Sequence, residues 1–226
     1  MKKRLIAAAA FSLLLGSAGA QAGVNLLQNG GFEDPAIATW YQNYGAHTND
    51  PWSGPSFPGW SVVGNNVDIV SASFSPGGAP AYQGTQFLDL VGYGSTGDIL
   101  QTFNTQAGKT YALSFAYGNN PWSTSTAAAA FDVLGNSGLL AGTITHSGST
   151  TGNINWVVYT GTFVADSSST TLRFDNTIGG GSGGVLLDAV SVSAVPELST
   201  WAMMLIGFAG MGFVAYWRAR KSAAPA

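Results

Sequence analysis

Aromatic side chains are concentrated in one polar stretch near the start of the chain, between residues 40 and 60. The rings there lie among Gly, Pro and Asn residues, which are typical of loops. A second such stretch reads Asn119-Asn120-Pro121-Trp122. Flat rings in loops can stack on sugar faces, and amides can bind sugar hydroxyls. The pattern predicts a carbohydrate-binding surface, with core packing of part of the rings as the alternative, favoured for Trp60. The predicted ligand contacts are Trp40, Tyr44, Trp52, Asn119 and Trp122.

Catalytic chemistry has little support in the sequence. His47 and His146 lie in no recognisable motif, and there is no nucleophile elbow, zinc-protease helix or phosphate-binding loop. Two acids such as Asp132 and Asp175 could serve a hydrolase if the fold brought them together, but their spacing does not show that it does. We therefore predict a protein that is not an enzyme.

Asp188 presents a burial problem. In an alternating strand it shares a face with Leu186, Val190 and Val192. If that face is buried, the carboxylate needs hydrogen-bond donors or a cation, because an unpaired buried charge is costly. Backbone N–H groups and a bound ion are both open as solutions.

Charge and composition exclude several classes of protein. Only 8% of the 226 residues are charged, and there is no cysteine, so disulfide scaffolds and thiolate metal sites are excluded. Between residues 23 and 195, Lys109 and Arg173 are the only basic residues, against ten acidic ones. An acidic surface repels phosphate backbones, so we predict no nucleic-acid partner.

Period-two alternation of apolar residues predicts the elements that position these side chains. In Thr110–Tyr117, for example, Tyr111, Leu113, Phe115 and Tyr117 share one face. Similar runs, bounded mostly by Gly, Asn, Ser or Pro, lie within 67–70, 85–91, 99–103, 131–134, 156–164, 170–175 and 185–192. Such runs without an amphipathic helix predict an all-β sandwich domain at residues 23–194.

Both ends of the chain have the character of targeting signals. Residues 1–22 combine a basic start, an apolar run and two A-x-A patterns, which predicts a signal peptide cut after Ala20 or Ala22. Near the other end, the uncharged run 201–217 predicts a transmembrane helix at 199–217. The basic residues Arg218, Arg220 and Lys221 and the tail 222–226 would then be cytoplasmic.

The segment from Val195 to Lys221 resembles the PEP-CTERM sorting signal of Gram-negative bacteria. Val195, Pro196 and Glu197 correspond to its motif, with Leu198 in place of the usual second proline, and Arg218, Arg220 and Lys221 close it. The resemblance implies recognition by an exosortase, a membrane-embedded processing enzyme. It also implies association with exopolysaccharide and biofilm formation.

The domain itself resembles galactose-binding-like jelly-roll modules, in particular the bacterial choice-of-anchor C proteins and related plant cell-wall proteins. The motifs that carry the resemblance are NLLQNGGFE at 25–33, QFLDL at 86–90 and LDAVSV at 187–192, where many relatives have Asp-Asn instead of Asp188-Ala189. The family often holds one structural calcium ion, which by resemblance would bind Glu33 and Asp188. Capping of backbone N–H groups by both acids is the alternative.

Together these features predict an exported, non-catalytic protein that associates with polysaccharide at the cell surface or in the extracellular matrix. Before processing, the domain would lie in the periplasm, anchored to the inner membrane. The competing hypothesis is a structural matrix protein without a glycan site, and a glycan-active hydrolase is a third.

Overall fold

The computed structural model describes residues 23–45, 56–73, 78–92, 95–122, 126–179, 183–196 and 200–222. Thirteen strands precede one helix in the described ranges. They are β1 (Tyr41–Gly45), β2 (Ser56–Phe57), β3 (Trp60–Gly64), β4 (Asn66–Ser71), β5 (Gln86–Asp89), β6 (Val91–Gly92), β7 (Ser95–Asn104), β8 (Thr110–Asn119), β9 (Ala127–Leu134), β10 (Gly138–His146), β11 (Val157–Val164), β12 (Ser169–Ile178), β13 (Val185–Ala194) and α1 (Thr200–Ser222).

The strands form two antiparallel sheets that pack face to face. Sheet A has six strands in the order β1-β4-β5-β13-β8-β11. Sheet B has seven, in the order β10-β9-β12-β7-β3-β2, with β6 paired to β7 beside this path. The predicted all-β sandwich is therefore confirmed, whereas its assignment to the galactose-binding-like class stays a prediction.

Alternation along the strands builds the core between the sheets. In β8, Leu113 and Phe115 are fully buried, and the Phe115 ring meets Phe174 of sheet B at 4.9 Å between centroids. Trp60 is also buried, as favoured from the sequence, and its indole N–H donates to the Asn29 carbonyl. All the described core residues lie between Leu27 and Val192, so residues 23–194 contain the core of the fold.

Hydrogen bonds between amide side chains and backbone groups join the segment 25–33 to both sheets. Asn25 accepts from the Val192 amide at 3.0 Å and donates to the Val190 carbonyl at 3.0 Å, which satisfies backbone groups beside an irregularity in β13. The Gln101 side chain binds the backbone of Gln28 in the same way. Its Oε1 accepts from the Gln28 N–H at 2.6 Å, and its Nε2 donates to the Gln28 carbonyl at 2.9 Å. These bonds account for the Asn25 side chain and hold the backbone at Gln28.

The outer face of sheet A, called the A face below, carries a second apolar cluster. Its buried members are Ala79, Phe87, Ile154 and Leu186. Phe87 and Leu186 point away from the main core because their neighbours Leu88 and Leu187 point into it. Ala79 and Ile154 come from two loops that cover part of the A face, so the outer apolar side chains of β5 and β13 are packed between the sheet and these loops.

A helix forms near the C-terminus, where the sequence predicted one. It begins at Thr200 and runs through the basic residues to Ser222. In the part of the chain that the structure describes, no helix is long and apolar enough to cross a membrane. Residue 199 lies outside the described residues, and the transmembrane assignment of 199–217 stays a prediction.

Candidate functional site

Two of the predicted ligand residues lie together on the surface. Trp40 immediately precedes β1 and Trp122 follows β8, yet their ring centroids are 5.8 Å apart in an edge-to-face arrangement. Each side chain is 55% exposed. Trp52 lies outside the described residues. Large exposed aromatic side chains held side by side are uncommon unless a ligand or partner covers them.

Two other predicted contacts are buried, which corrects their assignment to the ligand surface. Tyr44 points inward from β1 and its ring lies 5.2 Å from that of Phe57. Asn119 is also buried; its N–H donates to His146 Nδ1 at 3.1 Å, and its Oδ1 accepts from the Ser149 N–H at 3.0 Å. Tyr44 is therefore a core residue, and Asn119 holds the loop that follows β10 by its hydrogen bond to Ser149.

A chain of hydrogen bonds that ends at a buried carboxylate fixes the backbone at Trp122. The Trp122 N–H donates to Asn120 Oδ1 at 2.9 Å, and Asn120 Nδ2 donates to Asp89 Oδ2 at 2.8 Å. The Asn120 N–H in turn donates to the Gly184 carbonyl at 3.0 Å. Trp40 is held differently, since its carbonyl accepts from the Ser71 N–H at 2.9 Å. Both indoles thus project from fixed backbone.

Asp89 is the buried residue at which this chain of hydrogen bonds ends. Its Oδ1 accepts from the Val91 N–H at 2.9 Å and from the Gly184 N–H at 3.0 Å. Burial raises the pKa of Asp89 from 3.8 to about 7, although these bonds and the one from Asn120 favour the ionised form.

A second aromatic group borders the same part of the A face. Tyr82 is half-exposed, and its ring centroid lies 6.4 Å from that of Trp156, whose indole N–H donates to the Pro80 carbonyl at 3.0 Å. Between this group and the Trp40–Trp122 pair lies a small cavity of about 30 Å³. It is lined by Val70, Ala79, Phe87, Asn120, Pro121, Ile154 and Leu186. The sequence analysis missed Tyr82 and Trp156; the ring of Tyr82, in a loop rich in Gly and Pro, was the available signal.

The two predicted calcium ligands, Glu33 and Asp188, face one loop. Glu33 Oε1 accepts from the N–H groups of Thr85 at 2.8 Å and Gln86 at 2.9 Å. Asp188 is fully buried, and its Oδ2 accepts from the Gln83 N–H at 2.9 Å. These bonds match the capping alternative. Within the described ranges no group of three or more metal-ligating side chains occurs, and the calcium ion stays a prediction.

The surroundings of Asp188 favour its protonated form. Burial raises its pKa to about 7, and the negative charge of Glu33 acts in the same direction. The N–H bonds from Gln83 and Ala189 oppose the shift. A proton, or a cation beside Glu33, would relieve the cost of this buried charge.

Ala189 has a strained backbone conformation next to Asp188. Its N–H donates to Asp188 Oδ1 at 2.6 Å, and its φ of 50° lies in the left-handed region, which costs a non-glycine residue about 1 kcal/mol or more. Asn and Gly tolerate this region better than Ala does.

Relief of this strain is expected to stabilise the domain. Ala189→Asn and Ala189→Gly should each raise the free energy of unfolding by about 1 kcal/mol, measured by urea denaturation. The control is Ala116→Gly on the neighbouring strand, which should lower it by about 1 kcal/mol because Ala116 pairs in unbroken register with β11. Destabilisation by both changes at position 189 would contradict the assigned conformation.

Four charged residues lie on the outer face of sheet B. Arg173 pairs with Asp98, and its Nη2 lies 3.5 Å from Asp175 Oδ2. Asp132 is the register partner of Arg173 on the next strand. The fold thus brings Asp132 and Asp175 into one cluster, where burial and Asp98 raise the pKa of Asp175. The central arginine makes this an ion-paired surface group, and absence of catalysis stays a prediction.

The C-terminal motif is only partly described. The Val195 N–H donates to the Thr110 carbonyl at 3.0 Å and so extends the register beyond β13, and Pro196 follows it. Glu197 lies outside the described residues. Arg218, Arg220 and Lys221 form the last turns of α1.

Several known proteins are similar to this chain. Halomucin of Haloquadratum walsbyi is 31% identical over 191 residues, which are 83% of this chain but 2% of halomucin, so the chain spans a small fraction of that relative. Among solved structures, TmCBM61 in complex with β-1,4-galactotriose has a TM-score of 0.49 at 18% identity, over 75% of this chain and 98% of that one. A CBM4 structure has a TM-score of 0.44 at 17% identity, over 74% of this chain and 99% of that one. The family model described as "Protein of unknown function (DUF642)" matches residues 25–193, and the chain belongs to this family.

Proposed function

We propose that the domain binds polysaccharide without transforming it, and that the A face is the binding surface. The observation that carries the proposal is the exposed Trp40–Trp122 pair on fixed backbone. The C–H groups of a pyranose ring pack on the face of an indole, and rings held before binding lose little conformational entropy. Tyr82, half-exposed beyond the cavity, offers a further ring along the same face.

Charge points to a neutral glycan as the ligand. Asp89 and Asp188 lie on the A face, and Glu33 is close enough to act on the pKa of Asp188. Of the two basic residues between 23 and 195, Arg173 is paired with acids on sheet B and Lys109 precedes β8, at the end away from Trp122. A chain of uronic acids would therefore meet repulsion without a compensating cation.

Binding of purified residues 23–194 to a glycan panel tests this proposal. The panel should contain β-1,4-linked galactans, xylans and glucans beside polygalacturonate and alginate, with affinity measured by calorimetry at physiological salt. We expect selective, weak binding to one or more of the neutral chains. Binding to none of them by protein with an intact melting transition would overturn the proposal, and binding to the acidic chains alone would overturn the assignment of a neutral ligand.

Asp89 is expected to position Trp122. Asp89→Asn replaces the acceptor for Asn120 Nδ2 by a donor, so the Asn120 side chain must turn and release the Trp122 N–H. The affinity for the glycan should fall about tenfold, the effect of losing one well-placed contact. The control is Asp166→Asn, which removes bonds to the turn at Asn136 near the opposite end of β8 and should leave affinity unchanged.

We further propose that the protein is exported and processed at its C-terminus by an exosortase-type enzyme. Support comes from the leader at 1–22 and the sorting motif at 195–221 in the sequence. Mass spectrometry of the protein from its native envelope should find an N-terminus at Gln21 or Gly23 and a chain that ends near Pro196. A full-length chain that begins at Met1 and retains Lys221 would contradict the proposal.

A further inference from the structure

Strand β11 forms an open edge of sheet A. In the described residues it pairs only with β8, in eight unbroken register pairs from Val157–Tyr117 to Val164–Thr110. The N–H and C=O groups on its other side therefore have no strand beside them. Natural proteins protect such edges with charged residues, proline, bulges or short strands, because an open edge invites another strand.

None of these protections is present in β11. Its sequence VVYTGTFV contains no charge and no proline, and every residue except Gly161 is β-branched or aromatic. The other described edge strands differ: β1 and β2 are short, with five and two residues, and β10 has an irregular register between Gly138 and Leu140. Among these edge strands of the described residues, β11 is therefore the one without protection.

The sequence of β11 is nearly palindromic about Gly161. Reading outward in both directions gives Thr160 and Thr162, then Tyr159 and Phe163, then Val158 and Val164. In an antiparallel pair of two such strands centred on Gly161, every residue meets a similar residue on the same face. Thr160 would lie opposite Thr162 of the other copy, and Val158 opposite Val164.

The exposure of these side chains fits the arrangement. Val158 and Val164 are 45% and 53% exposed on the outer side, and Thr160 and Thr162 are exposed between them. Tyr159 and Phe163 point inward, where they stack on Phe115 and Tyr111. Pairing would bring the outer rows of β-branched side chains of the two copies into cross-strand contact without moving the inner rows.

We infer that two copies of this protein associate by antiparallel pairing of β11 about a two-fold axis at Gly161. The two six-stranded sheets then form one continuous sheet. Net charge keeps acidic domains apart elsewhere, whereas this edge is neutral and offers no repulsion to an identical edge. A single strand pair buries less than the roughly 1,200 Å² of a stable interface, so association is weak, and dense display on a surface strengthens it.

Sedimentation equilibrium of residues 23–194 over a wide concentration range tests this inference. The average mass of the wild type should rise from one domain toward two. Thr160→Lys with Thr162→Lys places lysines opposite lysines and should weaken the dimer at least about tenfold. Thr160→Lys with Thr162→Asp places each lysine opposite an aspartate of the other copy and should restore wild-type dimerisation.

The matched control is Thr143→Lys with Thr145→Lys, two exposed threonines at the same spacing on β10. It should dimerise like the wild type. Amide hydrogen exchange of wild-type protein provides a readout without substitutions: protection of 157–164 should increase with concentration. A wild type that stays monomeric, a control as disruptive as the β11 pair of lysines, or failure of the Lys/Asp variant to restore dimerisation would each overturn the inference, as would exchange in β11 that does not depend on concentration.

Discussion

Trp122→Ala and Trp40→Ala are each expected to lower the affinity for the glycan at least about tenfold, and the double variant to abolish measurable binding. Central aromatic residues commonly supply most of a binding free energy. Each ring is half-exposed and contacts the other, so neither supports the core. The melting temperature should therefore change little, as for other surface substitutions.

Matched controls make this result specific. Val63→Ala and Leu134→Ala remove exposed apolar side chains from the outer face of sheet B and should leave affinity unchanged. Trp60→Ala should instead destabilise the domain by about 3 kcal/mol or more, because that ring is buried in the core. Unchanged affinity in the Trp40–Trp122 double variant would refute the A face as the binding surface.

Stability is expected to fall as the pH rises from about 4 to about 7. Burial raises the pKa of Asp89 and of Asp188 from 3.8 to about 7, so in this window the folded state binds protons that the unfolded state has lost. The contribution of each protonated carboxyl to the free energy of unfolding is fully present below the pKa of the unfolded state. It is lost as the pH rises through the pKa of the folded state. At 1.36 kcal/mol per unit, each group contributes at most about 4 kcal/mol.

Urea denaturation between pH 4 and pH 8 measures this dependence. Asp89→Asn and Asp188→Asn should each flatten the profile. Asp166 provides the contrast, since backbone and Ser137 hydrogen bonds lower its pKa, and its contribution should disappear only as the pH falls. A wild-type profile that rises from pH 4 to pH 7 would contradict the assigned burial of both aspartates.

Thermal denaturation at pH 8 tests the predicted calcium ion. If calcium binds beside Glu33 and Asp188, adding it at pH 8 should raise the melting temperature, and chelator should reverse the gain. Glu33→Gln and Asp188→Asn should both remove the response. A melting temperature that does not respond to calcium would leave the backbone N–H groups as the partners of these carboxylates.

Alternation along the chain made much of the fold predictable, with clear exceptions. The run that became β8 alternates regularly and was recognised, and β13 was recognised although its register shifts between Asp188 and Ser191. Strand β10 was missed because Leu139 and Leu140 are adjacent and glycines interrupt it, and the structure has an irregular register at this point. Strand β1 was also missed, and with it the inward orientation of Tyr44.

The candidate site depends on contacts that spacing does not encode. Trp40 and Trp122 are separated by 81 residues, and only the arrangement of the strands of sheet A brings them together. The link from Asp89 through Asn120 to Trp122 likewise joins two strands that are not neighbours in the sheet. By contrast, Asp188 could be recognised as a buried acid from the apolar residues around it. The predicted shared face was wrong, however, because Val190 and Val192 enter the main core beyond the register shift in β13, whereas Leu186 lies on the A face.

The most direct test of the A face as a glycan-binding surface is a two-dimensional NMR titration of the indole N–H signals. The ligand is a neutral oligosaccharide selected by the glycan panel, and single Trp→Phe variants assign the signals. The signals of Trp40 and Trp122 should shift together with one dissociation constant, while that of Trp60, whose N–H donates to Asn29 in the core, stays in place. Saturable binding that leaves the Trp40 and Trp122 signals unmoved would contradict the account.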